Sequence, residues 1–428
     1  MSRLSGSTKL PISVLVNPLC SFSRNICFAA VVAVAFGAAV PASAQPPEGG
    51  PDPAKVRVRI GPLWMNPTVS VTNFGIDQNV FNEPDSASPK QDFTLTATPN
   101  TDVWLRVGPS WLDGSVKEEL VWYKTYTTER AANSTYRIGW KVPFNRLAFD
   151  VGGSYANVRD RPGYEIDARS LRIETRANGS VEMRTLSKTF FGVRAERLRT
   201  NFDKDAVFLT SNLHTELNHV TTTAGFFVRH QLTPLTSVMV TASRIQDRFD
   251  FSSLRDSDSN IGAVTLTFDP FALIKGTLTV GYRDFRPSSA GLADYRGLTT
   301  AVNLSYTASE MTKFTVKANR DIEYSFDIVQ PYYLLTGFEG SIMQQLFGPV
   351  DVAGRLGFQS LAYRDRAGAV LTVADRVDRV RTYGAGVGYH LSRDLRVGVN
   401  VDRSQRDSDV AFRQYRGLRI GTTVTYGL

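Results

Sequence analysis

Six basic residues, Arg137, Arg194, Arg283, Lys317, Arg355 and Arg396, occupy polar positions in segments where apolar and polar residues alternate. Lys141, Asp150, Glu196 and Arg419 hold equivalent positions, so the set carries eight cations and two anions. Fixed cations on one wall of a pore attract anions and repel cations. The same arginines can instead pair with Asp and Glu on neighbouring strands. Strand register decides between these uses, and the sequence does not give it.

Other chemistry is sparse. The four histidines are His214, His219, His230 and His390. His214 and His219 lie five apart and, on a strand, face opposite sides, so they cannot share a metal. The nucleophile-elbow pattern Gly-x-Ser-x-Gly, the zinc pattern His-Glu-x-x-His and a phosphate loop do not occur. Asp256–Asp258 matches no calcium-loop spacing. No catalytic residue, metal or cofactor is expected.

The elements that must position the charged set are strands. In Leu395–Asp402, Leu395, Val397, Val399 and Val401 alternate with Arg396, Gly398, Asn400 and Asp402. Successive side chains of a strand point to opposite faces, which gives one aliphatic and one polar face. The pattern recurs in Thr135–Val142, Leu147–Gly152, Leu278–Arg283, Val302–Thr307, Phe314–Asn319, Asp351–Gln359 and Thr382–His390. Helical periodicity is nearly absent, and Phe271–Lys275 is the best short candidate.

Connections alternate in length. Short turns are expected at Pro99-Asn100, Pro143–Asn145, Ser187-Lys188, Thr233-Pro234, Ala308–Glu310, Gly348-Pro349 and Ser392–Asp394, with a slightly longer link over Asp269–Lys275. Longer polar links are expected over Asn157–Asp167, Arg197–Ser211, Asp247–Asn260, Asp284–Arg296, Arg364–Asp378 and Arg403–Gln414. Short periplasmic turns and long outer loops mark an outer-membrane β-barrel. Eight short links join sixteen strands. A first strand near Val69–Phe81 and a last near Tyr415–Leu428 make 18. Thr101–Thr128 is too long for one strand, and 16 is the alternative count. Both termini are then periplasmic.

The N-terminus fits export. Arg3, Lys9 and Arg24 precede an apolar run over Ile26–Val40 and the small-residue site Ala42-Ser43-Ala44, the order of a cleaved signal peptide. The signal is read as residues 1–44. Both cysteines, Cys20 and Cys27, lie in it, so the mature chain has no disulfide framework. Elsewhere no apolar run reaches the length of a membrane helix. Residues 45–66, rich at first in Pro and Gly, read as a flexible periplasmic leader, and 67–428 as one all-β barrel. The chain has 49 Lys and Arg against 41 Asp and Glu, interspersed rather than blocked, which does not suit a nucleic-acid binder.

Trp140, Phe149, Phe191, Phe268, Tyr306, Phe314, Tyr389 and Tyr426 sit near short turns, as an interfacial girdle requires. Leu418, Ile420, Thr422, Val424, Tyr426 and Leu428 form one face of the last strand. Within it, Arg419, Gly421, Val424 and Tyr426 are similar to the terminal signal read by the outer-membrane assembly machinery, although Gly427-Leu428 follow the aromatic residue.

The start Ile60-Gly61-Pro62-Leu63 with Gly75-Ile76-Asp77-Gln78-Asn79-Val80-Phe81, and the end Tyr415-Arg416-Gly417-Leu418 with Val424-Thr425-Tyr426-Gly427-Leu428, resemble the putative beta-barrel porin 2 type of outer-membrane proteins. The resemblance implies an outer-membrane barrel without catalytic residues. Its implied roles are a porin for small hydrophilic or anionic solutes, a partner in exopolysaccharide export, or a structural surface barrel. The implied partners are outer-membrane lipid, the assembly machinery and an anionic solute or polysaccharide.

Overall fold

The computed structural model describes residues 50–51, 56–269, 272–309, 311–371 and 373–427. The stretch read as the signal lies outside them, as do 45–49 and 52–55 of the leader.

Eighteen antiparallel strands close into one ring. They are β1 (Leu63–Asp77), β2 (Asp92–Val107), β3 (Ser110–Tyr123), β4 (Ala131–Pro143), β5 (Leu147–Asp160), β6 (Ser170–Leu186), β7 (Thr189–Phe202), β8 (His219–Thr233) and β9 (Thr236–Phe249). The second half is β10 (Ser257–Phe268), β11 (Ile274–Pro287), β12 (Tyr295–Ala308), β13 (Thr312–Tyr324), β14 (Tyr332–Phe347), β15 (Val350–Arg364), β16 (Val377–His390), β17 (Leu395–Asp407) and β18 (Tyr415–Tyr426). Each pairs with its sequence neighbours, and β18 closes on β1. The even count puts both ends of the barrel at the short-turn rim.

The barrel begins at Leu63, inside the stretch expected to be leader, and Val58–Ile60 folds back on it as a small hairpin. Apolar residues of Leu63–Val71 face a paired neighbour, so ladder bonds outweigh the nearby Pro and Gly. The turn expected at Pro99-Asn100 is instead at Gly108-Pro109. Pro99 lies within β2, opposite Val69. The β2–β3 ladder passes from Ala97–Leu120 to Asn100–Lys117 and skips the proline, which has no N–H to donate. Thr101–Thr128 thus holds the end of β2, a turn and β3, which preserves the count of 18. Lys275, in the expected helical piece, belongs to β11.

The strands run further toward the long-loop end than expected, so the polar links shrink to segments such as 161–169, 250–256 and 288–294. A span needs about 9–11 residues, and most strands here have 13 or more. Beyond the bilayer both faces of a strand can be wet while the ladder still satisfies the backbone. Among the described residues the one α-helix, Leu213–Leu217, is in the 203–218 loop.

The aliphatic face is outward. Ile138, Val151, Val193, Val387 and Val399 are exposed there. Seven of the eight girdle aromatics are exposed near the short-turn rim, and Phe268 is half-buried.

Candidate functional site: the charged lumen and its inward loop

The inward face of each strand carries the charged set, and the strands bring most of it into pairs. Arg396 grips Asp351 through Nε and Nη2, at 2.7 and 2.5 Å, and His390 reaches the same carboxylate at 2.9 Å. Arg283 is buried, donating to Asp321 at 2.8 Å and to Ser259 at 3.1 Å. Arg355 pairs with Asp402 at 2.7 Å, and Lys317 stands 3.7 Å from Glu339. Arg194 donates to Ser243 at 3.4 Å, and Arg137 acts electrostatically on Asp102. Arg419 pairs with Asp77 across the closing seam. The expected excess of cations is therefore largely matched by Asp77, Asp321, Glu339, Asp351 and Asp402; alternation places Asp351 and Asp402 on the polar face but does not pair them. The arginine partners lie two strands away or across the seam, while Lys317 faces Glu339 on the adjacent strand, so the register reveals them.

One local signal did mark these pairs. On β16, Gly384, Gly386 and Gly388 lie on the inward face between β15 and β17. A Cβ on Gly388 would stand 2.5 Å from Arg396 Nε, and one on Gly384 would stand 2.9 Å from Arg355 Nε. The glycines leave a lane over which side chains of β15 and β17 meet.

Burial ranks these pairs. The Arg396 side chain is 8 % exposed and its Asp351 partner 1 %, whereas Arg355 and Asp402 are both above 40 %. Breaking a buried pair strands a charge and costs about 3–5 kcal/mol, while an exposed pair contributes about 0–1 kcal/mol. Arg396→Ala is expected to destabilise the barrel by the larger amount and Arg355→Ala by the smaller. Urea unfolding in lipid vesicles, followed by tryptophan fluorescence, measures both; equal losses would contradict the ranking.

The second component is the loop 161–169 between β5 and β6. The Tyr164 hydroxyl donates to Glu339 Oε1 at 2.6 Å and accepts from Gln359 Nε2 at 3.2 Å. Those partners are on β14 and β15, nine strands away in a ring of 18. That is half the circuit, so the loop crosses the bore.

The far side holds it firmly. Arg406 Nη1 donates to the carbonyls of Tyr164 and Glu165 and meets the Asp167 carboxylate at 3.1 Å. Its other nitrogens bond Asp378, which also accepts from Nε and Nη2 of Arg376. Arg413 donates to the Glu165 carbonyl and meets Asp167 at 3.1 Å. The Glu165 carboxylate accepts from the Ser325 hydroxyl at 2.6 Å and the Phe326 amide at 3.3 Å. Burial pushes this carboxyl above the ordinary range against the pull of Ser325, Arg413 and Arg406. Burial and the neighbouring Glu339 likewise push the Tyr164 hydroxyl up.

Apolar contacts complete the seat. Ile166 packs with Phe208, Leu213 and Phe326, side chains of two further loops and the short helix. Tyr164 packs against Tyr333, Leu335, Leu361, Tyr363 and Val380 on the wall. Beside the loop a half-open cavity of about 570 Å³ remains. Arg161, Lys317, Arg355 and Arg419 contribute to its lining, and so do Asp77, Asp167, Glu339 and Asp402.

The loop's role was not foreseen. Its signal is Tyr164 and Ile166 inside an otherwise polar link. The histidines are dispersed: His214 is on the short helix rather than a strand, and His219 opens β8. Asp256 caps the Phe249 amide, and Asp258 pairs with Arg244 and Arg248.

The family model of putative beta-barrel porin 2 matches residues 54–427. No curated protein matches the chain. Among solved structures, a BenF-like porin from Pseudomonas fluorescens Pf-5 aligns at 12 % identity and TM-score 0.47, covering 86 % of this chain and 100 % of that one. OccK2 (OpdF) of Pseudomonas aeruginosa, in complex with glucuronate, aligns at 10 % and 0.43, covering 85 % and 97 %. A mutant of the ferric enterobactin receptor of the same organism aligns at 10 % and 0.44, covering 86 % and 80 %.

Proposed function

Since this chain belongs to the putative beta-barrel porin 2 family, we propose that it passes small hydrophilic solutes across the outer membrane with little discrimination by charge. It is an outer-membrane porin-like channel for small solutes. A barrel of this width leaves an aqueous bore. The observation that carries the finer reading is the mixed lining beside the inward loop, where Arg161, Lys317, Arg355 and Arg419 stand among four carboxylates and the fifth basic residue, Arg403, lies on the outward face of β17. Paired charges give a neutral far field, and the field of a ring of like charges is what sorts ions. Pairing of Arg283, Lys317, Arg355 and Arg396 with carboxylates favours the alternative use of the basic residues over an anion preference.

The inward loop favours small solutes over an exported polysaccharide, because a polymer needs a continuous bore. The test is reversal potential in planar bilayers under a KCl gradient. A value near zero is expected, and it should hardly move at low salt, where unscreened wall charge would show most. A strongly anion- or cation-selective pore would refute the reading.

A further inference from the structure

Outside the bore, the register gathers a second set of arginines that the channel does not use. On β16, odd positions face outward, so Arg379 and Arg381 lie on the same face as Tyr383 and Val387. On β17, Arg403 continues the outward stripe Val397, Val399 and Val401. On β18, Arg416 continues the stripe of Ile420 and Leu418. The ladder sets Arg403 level with Tyr383 and Leu418, and Arg381 level with Gln405 and Arg416. With neighbouring strands about 4.8 Å apart and about 3.3 Å per residue, Arg381, Arg403 and Arg416 fall within about 10 Å of one another.

The height of the patch is telling. An apolar band about 25 Å tall, crossed by strands tilted about 40°, takes roughly ten residues. Counted from Leu395 at the short-turn rim, that band ends near Arg403. The patch therefore lies at the outer margin of the lipid-facing band, toward the long loops, where long basic side chains can raise their charge to the headgroups. Charge balance singles it out as well. Asp407 is the one acid paired into it, through Arg381 at 2.9 Å. Arg379, Arg403 and Arg416 make no side-chain ion pair among the described residues. By contrast, Arg199, Arg244 and Arg248, on the outward face of β7 and β9, each meet an acid: Arg199 pairs with Asp250, and Arg244 and Arg248 share Asp258.

We infer that Arg381, Arg403 and Arg416, with Arg379 above them, form a binding site for the phosphate groups of a phosphorylated glycolipid in the outer leaflet. The guanidinium fork matches phosphate geometry. The apolar stripes below the patch offer a surface for the acyl chains of the same molecule, so one lipid meets both parts. The inference rests on the outer-membrane placement of the barrel, but not on its conductance.

The test uses the folded full-length protein in detergent with bis-phosphorylated lipid A or its dephosphorylated form. Lipid retention is read by native mass spectrometry, and folding by heat-modifiable migration. Wild type is expected to retain the phosphorylated lipid. A basic residue beside an anionic surface contributes roughly fivefold in affinity, so Arg403→Gln should lose about fivefold and the triple change at 381, 403 and 416 about a hundredfold. Arg244→Gln should retain as wild type does. If the triple variant does not fold, Arg403→Gln decides. Equal retention of the dephosphorylated lipid, or unaltered retention by Arg403→Gln, overturns the site. So does a variant that changes the oligomeric mass and leaves lipid retention intact, which would make the patch a subunit interface. Bilayer conductance of the same variants separates failure of this site from failure of the channel reading.

Discussion

Replacing Gly163–Asp167 by a two-residue link will raise single-channel conductance severalfold. The segment crosses half the ring, and its removal takes away both the Tyr164 bridge to Glu339 and the carbonyls that Arg406 and Arg413 hold. A milder change should act in the same direction. Arg406 has no exposed side-chain surface, and it joins the loop at Asp167 to the wall at Asp378. Arg406→Ala takes one of two arginines from each of two carboxylates, with Arg413 left on Asp167 and Arg376 on Asp378, so the cost is expected at or below the low end of the about 3–5 kcal/mol of a fully broken buried pair. Because the loop is the part able to move, the cost is expected to appear as unseating: open-channel noise and a higher mean conductance, with the barrel still folded. Arg406→Lys keeps the charge but loses the fork and should fall between. Planar-bilayer recordings of the three variants measure this. Wild-type conductance in the shortened variant would show that the loop does not limit flow.

The second large effect is expected at the seam. β1 meets β18 through a bulge at Thr72-Asn73, with Asn73 in a left-handed conformation. Just past it, Gly75 lies opposite Gly421. A Cβ on Gly75 would stand 2.5 Å from Gly421 Cα and closer still to the Ile420 carbonyl. Both obstacles are backbone, so no rotamer relieves them. Gly75→Ala is expected to prevent closure and abolish the folded, heat-modifiable species on a gel. Gly262→Ala is the control, since nothing lies within 4 Å of its added Cβ. A Gly75→Ala barrel migrating as wild type would mean that the seam can shift to accommodate it.

The ring itself was legible from alternation and from the contrast of short and long links, because period two and turn chemistry are local properties. The turn at Gly108-Pro109 was misplaced to Pro99-Asn100 for a local reason: both pairs contain turn-forming residues, and only the neighbouring strands show which one is laddered. The charged wall was legible as a face but not as pairs. Asp351 and Arg396 are 45 residues apart and meet across β16 only because Gly388 lies between them. The inward loop was least legible. Glu165 and Arg413 are 248 residues apart and come together only in the closed ring.

That separation sets an order of events during assembly. The loop emerges with the β5–β6 hairpin, yet its anchors Arg406 and Arg413 belong to the last part of the chain. A partly inserted barrel has no place to dock Tyr164 or Glu165, so its mouth stays unobstructed while strands are still being added. The narrowing is thus a late event that waits until the β5–β6 hairpin and the last strands with their loops are all in place. A barrel stalled before that point would be a leak, and a cell could recognise it by its permeability alone.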